Sequence, residues 1–220
     1  MKNRSYNHYC GLAYALDMVG ERWTLLIIRE VIPGPRRFTD LMDGLPGIST
    51  NLLSERLKSL EQHGILKRRV LPPPAASTVY ELTPLGHALE PMLLELGRWG
   101  SQFVPPSREE AALLPVGSYA LTLKTFFSPE EAQDINETYV LHIDRDVLRV
   151  RIAEGEINVQ YGEMANADLV LHTDMSTYLG LLQGQMLPDD AIAKGLVQIE
   201  GDFDMLRRFV KLCGMPGTGG

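Results

Sequence analysis

No run of apolar residues in this 220-residue sequence approaches the roughly 18 needed to cross a bilayer, so no membrane partner is expected. The opening residues, M-K-N-R-S-Y-N-H-Y-C, contain no apolar signal region, and a cytoplasmic protein is expected. Cysteine is scarce. Cys10 and Cys213 lie too far apart in sequence to make a disulfide framework. The five histidines, at 8, 63, 87, 142 and 172, form no pair at metal-ligand spacing on a common element. Neither a phosphate-binding glycine loop nor a nucleophile elbow occurs. Acidic residues of the second half fall mostly at turns. No catalytic residue, metal or cofactor is therefore assigned, and the chain is not expected to be an enzyme.

What is present is a normal globular composition, 45% hydrophobic, unevenly charged. The net charge of −7 argues at first against nucleic acid. Residues 1–104 hold 12 Lys and Arg against 10 Asp and Glu, a net of +2. Residues 105–220 hold 9 against 18, a net of −9. The acidity belongs to the second half, which leaves a DNA-binding first half open.

The first half reads as helices. Cys10–Val19 carries Leu12, Ala15, Leu16 and Val19 at helical spacing, and Gly20 ends it. Glu21–Val31 is apolar nearly all round, as a central buried helix would be. Pro33-Gly34-Pro35 breaks the chain, and Arg36-Arg37 leads into a short helix through Phe38, Leu41, Met42 and Leu45.

Ile48 to Gly64 reads as one helix, with Ser49 as N-cap and Gly64 as its left-handed C-terminal residue. At about 100° per residue, Leu52, Leu53, Leu57 and Leu60 share one arc. Asn51, Ser54 and Lys58 share the opposite one, flanked by Thr50 and Glu55. Short hydrogen-bonding side chains suit base edges and phosphates, although an ordinary solvated face is the alternative. Arg56 falls inside the apolar arc. Its stem is expected along the core edge, with its guanidinium on a phosphate or an internal carboxylate.

Strands at Ile65–Leu71 and Thr78–Leu82 are joined by P-P-P-A-A-S, a hairpin with a stiff tip. A helix-turn-helix followed by such a hairpin is a winged helix. Thr83-Pro84 opens a last helix. It carries an apolar stripe of Leu85, Leu89, Met92, Leu93, Leu96 and Trp99, with Pro91 placed to bend it. This is more apolar surface than one small domain needs, which makes the helix a dimerisation candidate.

Four blocks in order, C-x-x-x-x-A-L-D-x-V-G-x-R-W-T-L-L-I-I-R-E, R-F-T-D-L, P-G-I-S-x-x-L-L-S-x-R-L-K-x-L-E-x-x-G-I-L and Y-x-L-T-x-x-G-x-x-L, resemble HxlR-type winged-helix regulators of bacteria. The resemblance covers about residues 8–104. It implies a homodimeric transcription factor with a recognition helix beginning near Ser49, a wing near residues 70–80, and dimerisation through the Cys10 and Pro84 helices. Relatives carry an arginine at the wing in a P-P-R-x-x-Y arrangement. Here the tip, Pro72 to Ser77, has no basic side chain. Minor-groove reading by an inserted arginine is thereby put in question. Phosphate contacts are expected instead from Arg36, Arg37, Lys67, Arg68 and Arg69. Cys10 sits where some relatives have a redox-sensing thiol. The favoured reading is a small core residue at a helix start.

After Ser101–Ser118, which reads as a Pro-containing linker, the pattern turns to strands. They are expected at Tyr119–Phe126, Glu137–Ile143, Val147–Ala153, Ile157–Tyr161, Leu169–Leu171 and Val197–Glu200. Hairpin turns fall at Asp144-Arg145-Asp146 and Glu154-Gly155-Glu156. Helices follow Asp174, span Pro188–Lys194 and close the chain at Asp202–Leu212. The runs A-D-L-V-L-H-T-D and D-D-A-I-A-K-G-L-V-Q-I-E-G-D resemble the end of a sterol-carrier-protein-like domain over about residues 117–214. That resemblance implies an apolar tunnel, for which Phe126, Leu141, Tyr178, Leu179, Leu182 and Met186 are lining candidates. A plain filled core is the alternative.

The expected fold is α+β: an N-terminal winged helix-turn-helix domain (8–104), a linker (105–117), an α+β sandwich with an antiparallel sheet and helices on one face (118–214), and a flexible tail (215–220). The expected function is sequence-specific binding of a palindromic double-stranded DNA operator as a homodimer, with a hydrophobic small molecule as effector. DNA contacts are assigned to Ser49, Thr50, Asn51, Ser54, Lys58, Arg56, Arg36, Arg37 and Arg68. The alternative is a dimeric hydrophobic-ligand carrier whose winged helix serves only dimerisation.

Overall fold

Glycine and proline set the element ends in the first half, and leucine packing sets their faces. The computed structural model describes residues 5–73, 75–104 and 114–215. It divides into two compact units, Met1–Leu93 and Leu94–Gly220. Pro74 of the wing tip, residues 105–113 of the expected linker and residues 216–220 of the expected tail lie outside the described residues.

The first unit holds α1 (Gly11–Val19), α2 (Thr24–Val31), α3 (Phe38–Gly44) and α4 (Thr50–Gln62). The Ser49 side chain accepts the Leu52 N–H at 3.3 Å and caps α4, while Gly64 adopts φ 69° just past its end. Leu53, Leu57 and Leu60 are buried. Each such burial contributes about 1.5–3 kcal/mol, against about 1 kcal/mol for the cap. Core packing therefore fixes which side of α4 faces outward.

Strands β1 (Arg36–Arg37), β2 (Leu66–Val70) and β3 (Thr78–Leu82) form a sheet in the order β1-β3-β2. The two-stranded wing of the sequence reading gains a third strand, because Arg36 and Arg37 pair with Tyr80 and Val79. Beyond β3 the expected single helix is split into α5 (Pro84–His87) and α6 (Glu90–Ser101). Pro91 has no N–H to give the His87 carbonyl, so the helical ladder fails at that point. Gly86 is required in α5: a Cβ there would lie 2.3 Å from the Ile65 carbonyl oxygen.

The second unit opens on α7 (Val116–Phe126), which corrects the strand expected at Tyr119–Phe126. Tyr, Thr and Phe favoured a strand, but the buried residues Val116, Tyr119, Ala120 and Leu123 recur at helical spacing. Val116 and Gly117, expected in the linker, belong to this helix. After a 3-10 turn at Glu130–Ala132 come β4 (Asn136–Ile143), β5 (Asp146–Ala153), β6 (Glu156–Tyr161), β7 (Leu169–Thr173), α8 (Met175–Leu182), α9 (Pro188–Ala193), β8 (Val197–Gly201) and α10 (Phe203–Cys213). The sheet order is β6-β5-β4-β7-β8. β4 pairs with β7 in parallel and the other neighbours are antiparallel.

Both hairpin turns fall where expected, with Asp144, Glu154 and Gly155 at positive φ. The Asp174 carboxylate caps α8 by accepting the Thr177 N–H at 2.8 Å. Tyr139, Leu141, Ile143, Leu148, Val150, Ile152, Val159, Leu169 and Leu171 pack beneath the helices. The opposite face carries Thr138, His142, Arg149, Arg151 and His172, so the helical layer lies over one face only.

Candidate nucleic-acid interface

The outward side of α4 presents Asn51, Ser54, Glu55 and Lys58, all exposed, with Ser49 and Thr50 exposed at its start. Among the described residues, nothing forms a hydrogen bond or ion pair with the side chains of Asn51, Ser54 or Lys58. The leucines opposite are buried, so these polar groups are held outward on a rigid element rather than on a loop.

The other cations of the unit are differently disposed. On β2, Lys67 pairs with Glu81 at 3.1 Å, Arg69 with Glu81 at 2.7 Å, and Arg68 with Glu61 at 2.8 Å. Burial pushes the Glu81 carboxyl up, but the hydrogen bonds from Arg69 and Lys67 outweigh it and hold it below its ordinary range. The Arg68 guanidinium lies 5.5 Å from the centre of the Tyr80 ring. Register places Arg36 across from Tyr80 on β1, so Arg36 and Arg68 flank that ring on one face of the sheet. Arg37, exposed, offers its N–H to the Asp40 carboxylate at 2.9 Å and starts α3.

Arg56 is set apart from the outward row. Its guanidinium reaches Glu21 at 3.1 Å and Glu55 at 3.0 Å, and its Nε donates to the Arg22 carbonyl at 3.2 Å. The sequence offered a phosphate or an internal carboxylate as its destination; the carboxylates it meets belong to this chain but are exposed. Glu21, Glu61 and Glu81 themselves carried no sequence signal, because each partner lies 7 to 35 residues away.

Cys10 corrects the core reading: it is exposed and is the N-cap of α1. The backbone N–H groups of Ala13 and Leu12 hold its thiol pKa below the ordinary value. Cys213 is buried, and burial pushes its thiol up to about 12. In native protein, Cys10 is therefore expected to react with iodoacetamide faster at neutral pH than a free cysteine, and Cys213 only after denaturation. Two equally fast thiols in a native titration would contradict this.

Among the candidates in the second unit, Leu141, Tyr178 and Leu182 sit in its main core, and Leu179 and Met186 pack against them half-buried. Phe127 rather than Phe126 joins that cluster. The Tyr178 and Tyr119 rings meet edge to face at 5.8 Å. Tyr119 donates to Asp146 at 2.8 Å. The Tyr178 hydroxyl is fully buried with no hydrogen-bond partner among the described residues.

A three-stranded wing beside a helix-turn-helix whose second helix shows a polar outward face defines a winged helix-turn-helix protein. Residues 18–108 match the family model of HxlR-like helix-turn-helix proteins, and residues 122–214 that of the SCP-2 sterol transfer family. The uncharacterized HTH-type transcriptional regulator sll1512 of Synechocystis sp. is 36% identical over 107 residues, 49% of this chain and 79% of that protein. The HTH-type transcriptional regulator YodB of Bacillus subtilis is 41% identical over 92 residues, 42% of this chain and 82% of that protein. The solved reduced form of YodB is 39% identical over 46% of this chain and 99% of its own, with a TM-score of 0.39. The chain belongs to the HxlR-like helix-turn-helix family.

Proposed function

We propose that this chain is a homodimeric, sequence-specific DNA-binding regulator of transcription whose second unit binds a hydrophobic effector. The observation that carries the DNA reading is the row Asn51, Ser54 and Lys58, unengaged and exposed on a helix seated by buried leucines. The names of the curated relatives as HTH-type transcriptional regulators support it. Asn51 and Ser54 would read base edges, Lys58, Ser49 and Thr50 would complete the contact, and Arg36, Arg37 and Arg68 would face phosphates. The DNA-binding and dimerisation part would be residues 8–104 and the ligand-binding part 118–214. A cytoplasmic location in a bacterium belongs to the same proposal.

Dimerisation is supported by apolar side chains left exposed on both candidate helices: Leu12 and Leu16 on α1, and Met92, Leu96 and Trp99 on α6. Two α4 helices would then enter successive major grooves roughly 34 Å apart, on a palindromic site. The exposed, low-pKa Cys10 thiol at the start of α1 favours redox control of the same dimer. Selection from random duplexes tests the whole reading. Recovery of an inverted repeat is the expected result, and recovery of no preferred sequence would reduce the winged helix to a dimerisation element.

The effector reading rests on Tyr178. A buried hydroxyl with no partner is costly, by about 1–3 kcal/mol, and a ligand oxygen would satisfy it. Tyr178→Phe is expected to leave the free protein as stable or more stable. It is also expected to weaken binding of a long-chain alcohol about tenfold, a loss near the net worth of one hydrogen bond. Binding of the alkane of equal length should be unchanged. Equal losses for both probes would remove Tyr178 from the site.

A further inference from the structure

We infer that Arg56 is a positioning residue: with Glu21 it clamps the recognition helix α4 onto the connection between α1 and α2, and it does not itself contact DNA. The inference rests on the DNA-binding reading of α4 and adds a residue that orients that helix rather than one that reads bases.

Arg56 has three guanidinium nitrogens and each is used. Nη2 meets Glu21 Oε2 at 3.1 Å, Nη1 meets Glu55 Oε1 at 3.0 Å, and Nε donates to the Arg22 carbonyl oxygen at 3.2 Å. Only 14% of the side chain is exposed. A phosphate could recruit this guanidinium only by drawing it off a backbone carbonyl and leaving two carboxylates beside a polyanion. Arg37 and Lys58 offer cations without that loss.

The connection that Arg56 grips is itself held on its other side. Trp23 caps α2 with φ 78°, a conformation that a bulky residue keeps only when its surroundings enforce it. Its ring reaches the turn between α3 and α4: a Cβ at Gly47 would lie 3.8 Å from Cη2. The Arg22 guanidinium lies 5.3 Å from the centre of the same ring. Residues 20–23 therefore approach the turn through Trp23 and bind α4 through Arg56. A shift at the end of α1 would be passed to the recognition helix through this connection as well as through the direct packing of α1 on α4.

Electrostatics and positioning make opposite predictions for Glu21. Removing an acid near DNA strengthens binding if only charge matters. Removing half of the clamp weakens it. The experiment compares Glu21→Gln, Arg56→Gln and Lys58→Gln in the full chain, on the duplex recovered by selection with the wild-type protein, over a salt series. Amide hydrogen exchange in α4 is measured without DNA.

Glu21→Gln and Arg56→Gln are each expected to lower affinity about tenfold. The slope of log affinity against log salt should stay at the wild-type value in both. Lys58→Gln should reduce that slope by about one. Exchange in α4 should quicken in the two clamp variants, and the double variant should be no worse than either single one.

A reduced slope in Arg56→Gln would make it a phosphate contact and overturn the inference. So would affinity in Glu21→Gln equal to or above wild type, or unchanged α4 exchange in that variant. If Arg56→Gln does not fold, Glu21→Gln decides alone, since an exposed glutamate tolerates glutamine. If the wild type selects no duplex, the DNA reading fails, while the exchange result still decides whether the clamp exists.

Discussion

Glu30→Ala is expected to lower the stability of the first unit by about 3 kcal/mol. Glu30 has no exposed side-chain surface and lies on α2 beneath the end of α3. Its carboxylate accepts from Arg29 Nη2 at 2.6 Å and Nε at 3.0 Å, and Arg29 reaches the Gly44 carbonyl at 3.5 Å. Gly44 is part of the same arrangement, because a Cβ there would meet Glu30 Oε2 at 2.6 Å. Truncating Glu30 leaves a cavity and a cation with 14% exposure and no carboxylate from Glu30.

Breaking a buried pair from one side costs about 3–5 kcal/mol, and the partial exposure of Arg29 points to the lower end. Arg29→Met with Glu30→Leu should recover most of the loss, because both charges leave together. Urea unfolding followed by Trp23 fluorescence in a Trp99→Phe background measures the first unit. A loss below about 1 kcal/mol in Glu30→Ala would show that the pair does not hold α2 to α3.

Asn51→Ala combined with Lys58→Ala is expected to reduce affinity for the selected duplex about 100-fold. A bidentate amide-to-adenine contact accounts for about 1–3 kcal/mol of discrimination. Lys58 adds a phosphate term, visible as a salt slope smaller by about one. Stability should change little, since both side chains are exposed and make no hydrogen bond or ion pair among the described residues. The absence of a basic residue at the wing tip raises the share carried by α4, so the double variant should also lose sequence preference. The test is a mobility-shift titration on the selected duplex and on a scrambled one. Unchanged preference between the two would move recognition away from α4.

The readable parts of the fold were those set by neighbours in sequence. The leucine arc of α4, its Ser49 cap and the left-handed Gly64 follow from spacing within 17 residues. Thr83 with Pro84, Asp174 and the Glu154-Gly155 turn are equally local. What escaped reading required distant partners. Arg36 and Arg37 became a strand only because Val79 and Tyr80 pair with them. The strand expected at Tyr119–Phe126 became α7 because its buried face is helical in period, against the residues' own preference. Cys10 looked like core because small residues at helix starts often are, and only the packing of the described residues showed it exposed.

Taken alone, the sequence determined the winged helix-turn-helix, the polar row Asn51, Ser54 and Lys58, and the family resemblances of both halves. The first two depend on periodicity, capping or turn chemistry within a few residues, and the resemblances on motif blocks that occur in order along the chain. The tertiary structure decided which cations are engaged and which are open. Arg56, Arg68 and Arg69 meet carboxylates brought in by folding, and Lys58 does not. Ion pairing falls off within a few ångströms and takes no account of sequence distance, so only the folded chain can assign it.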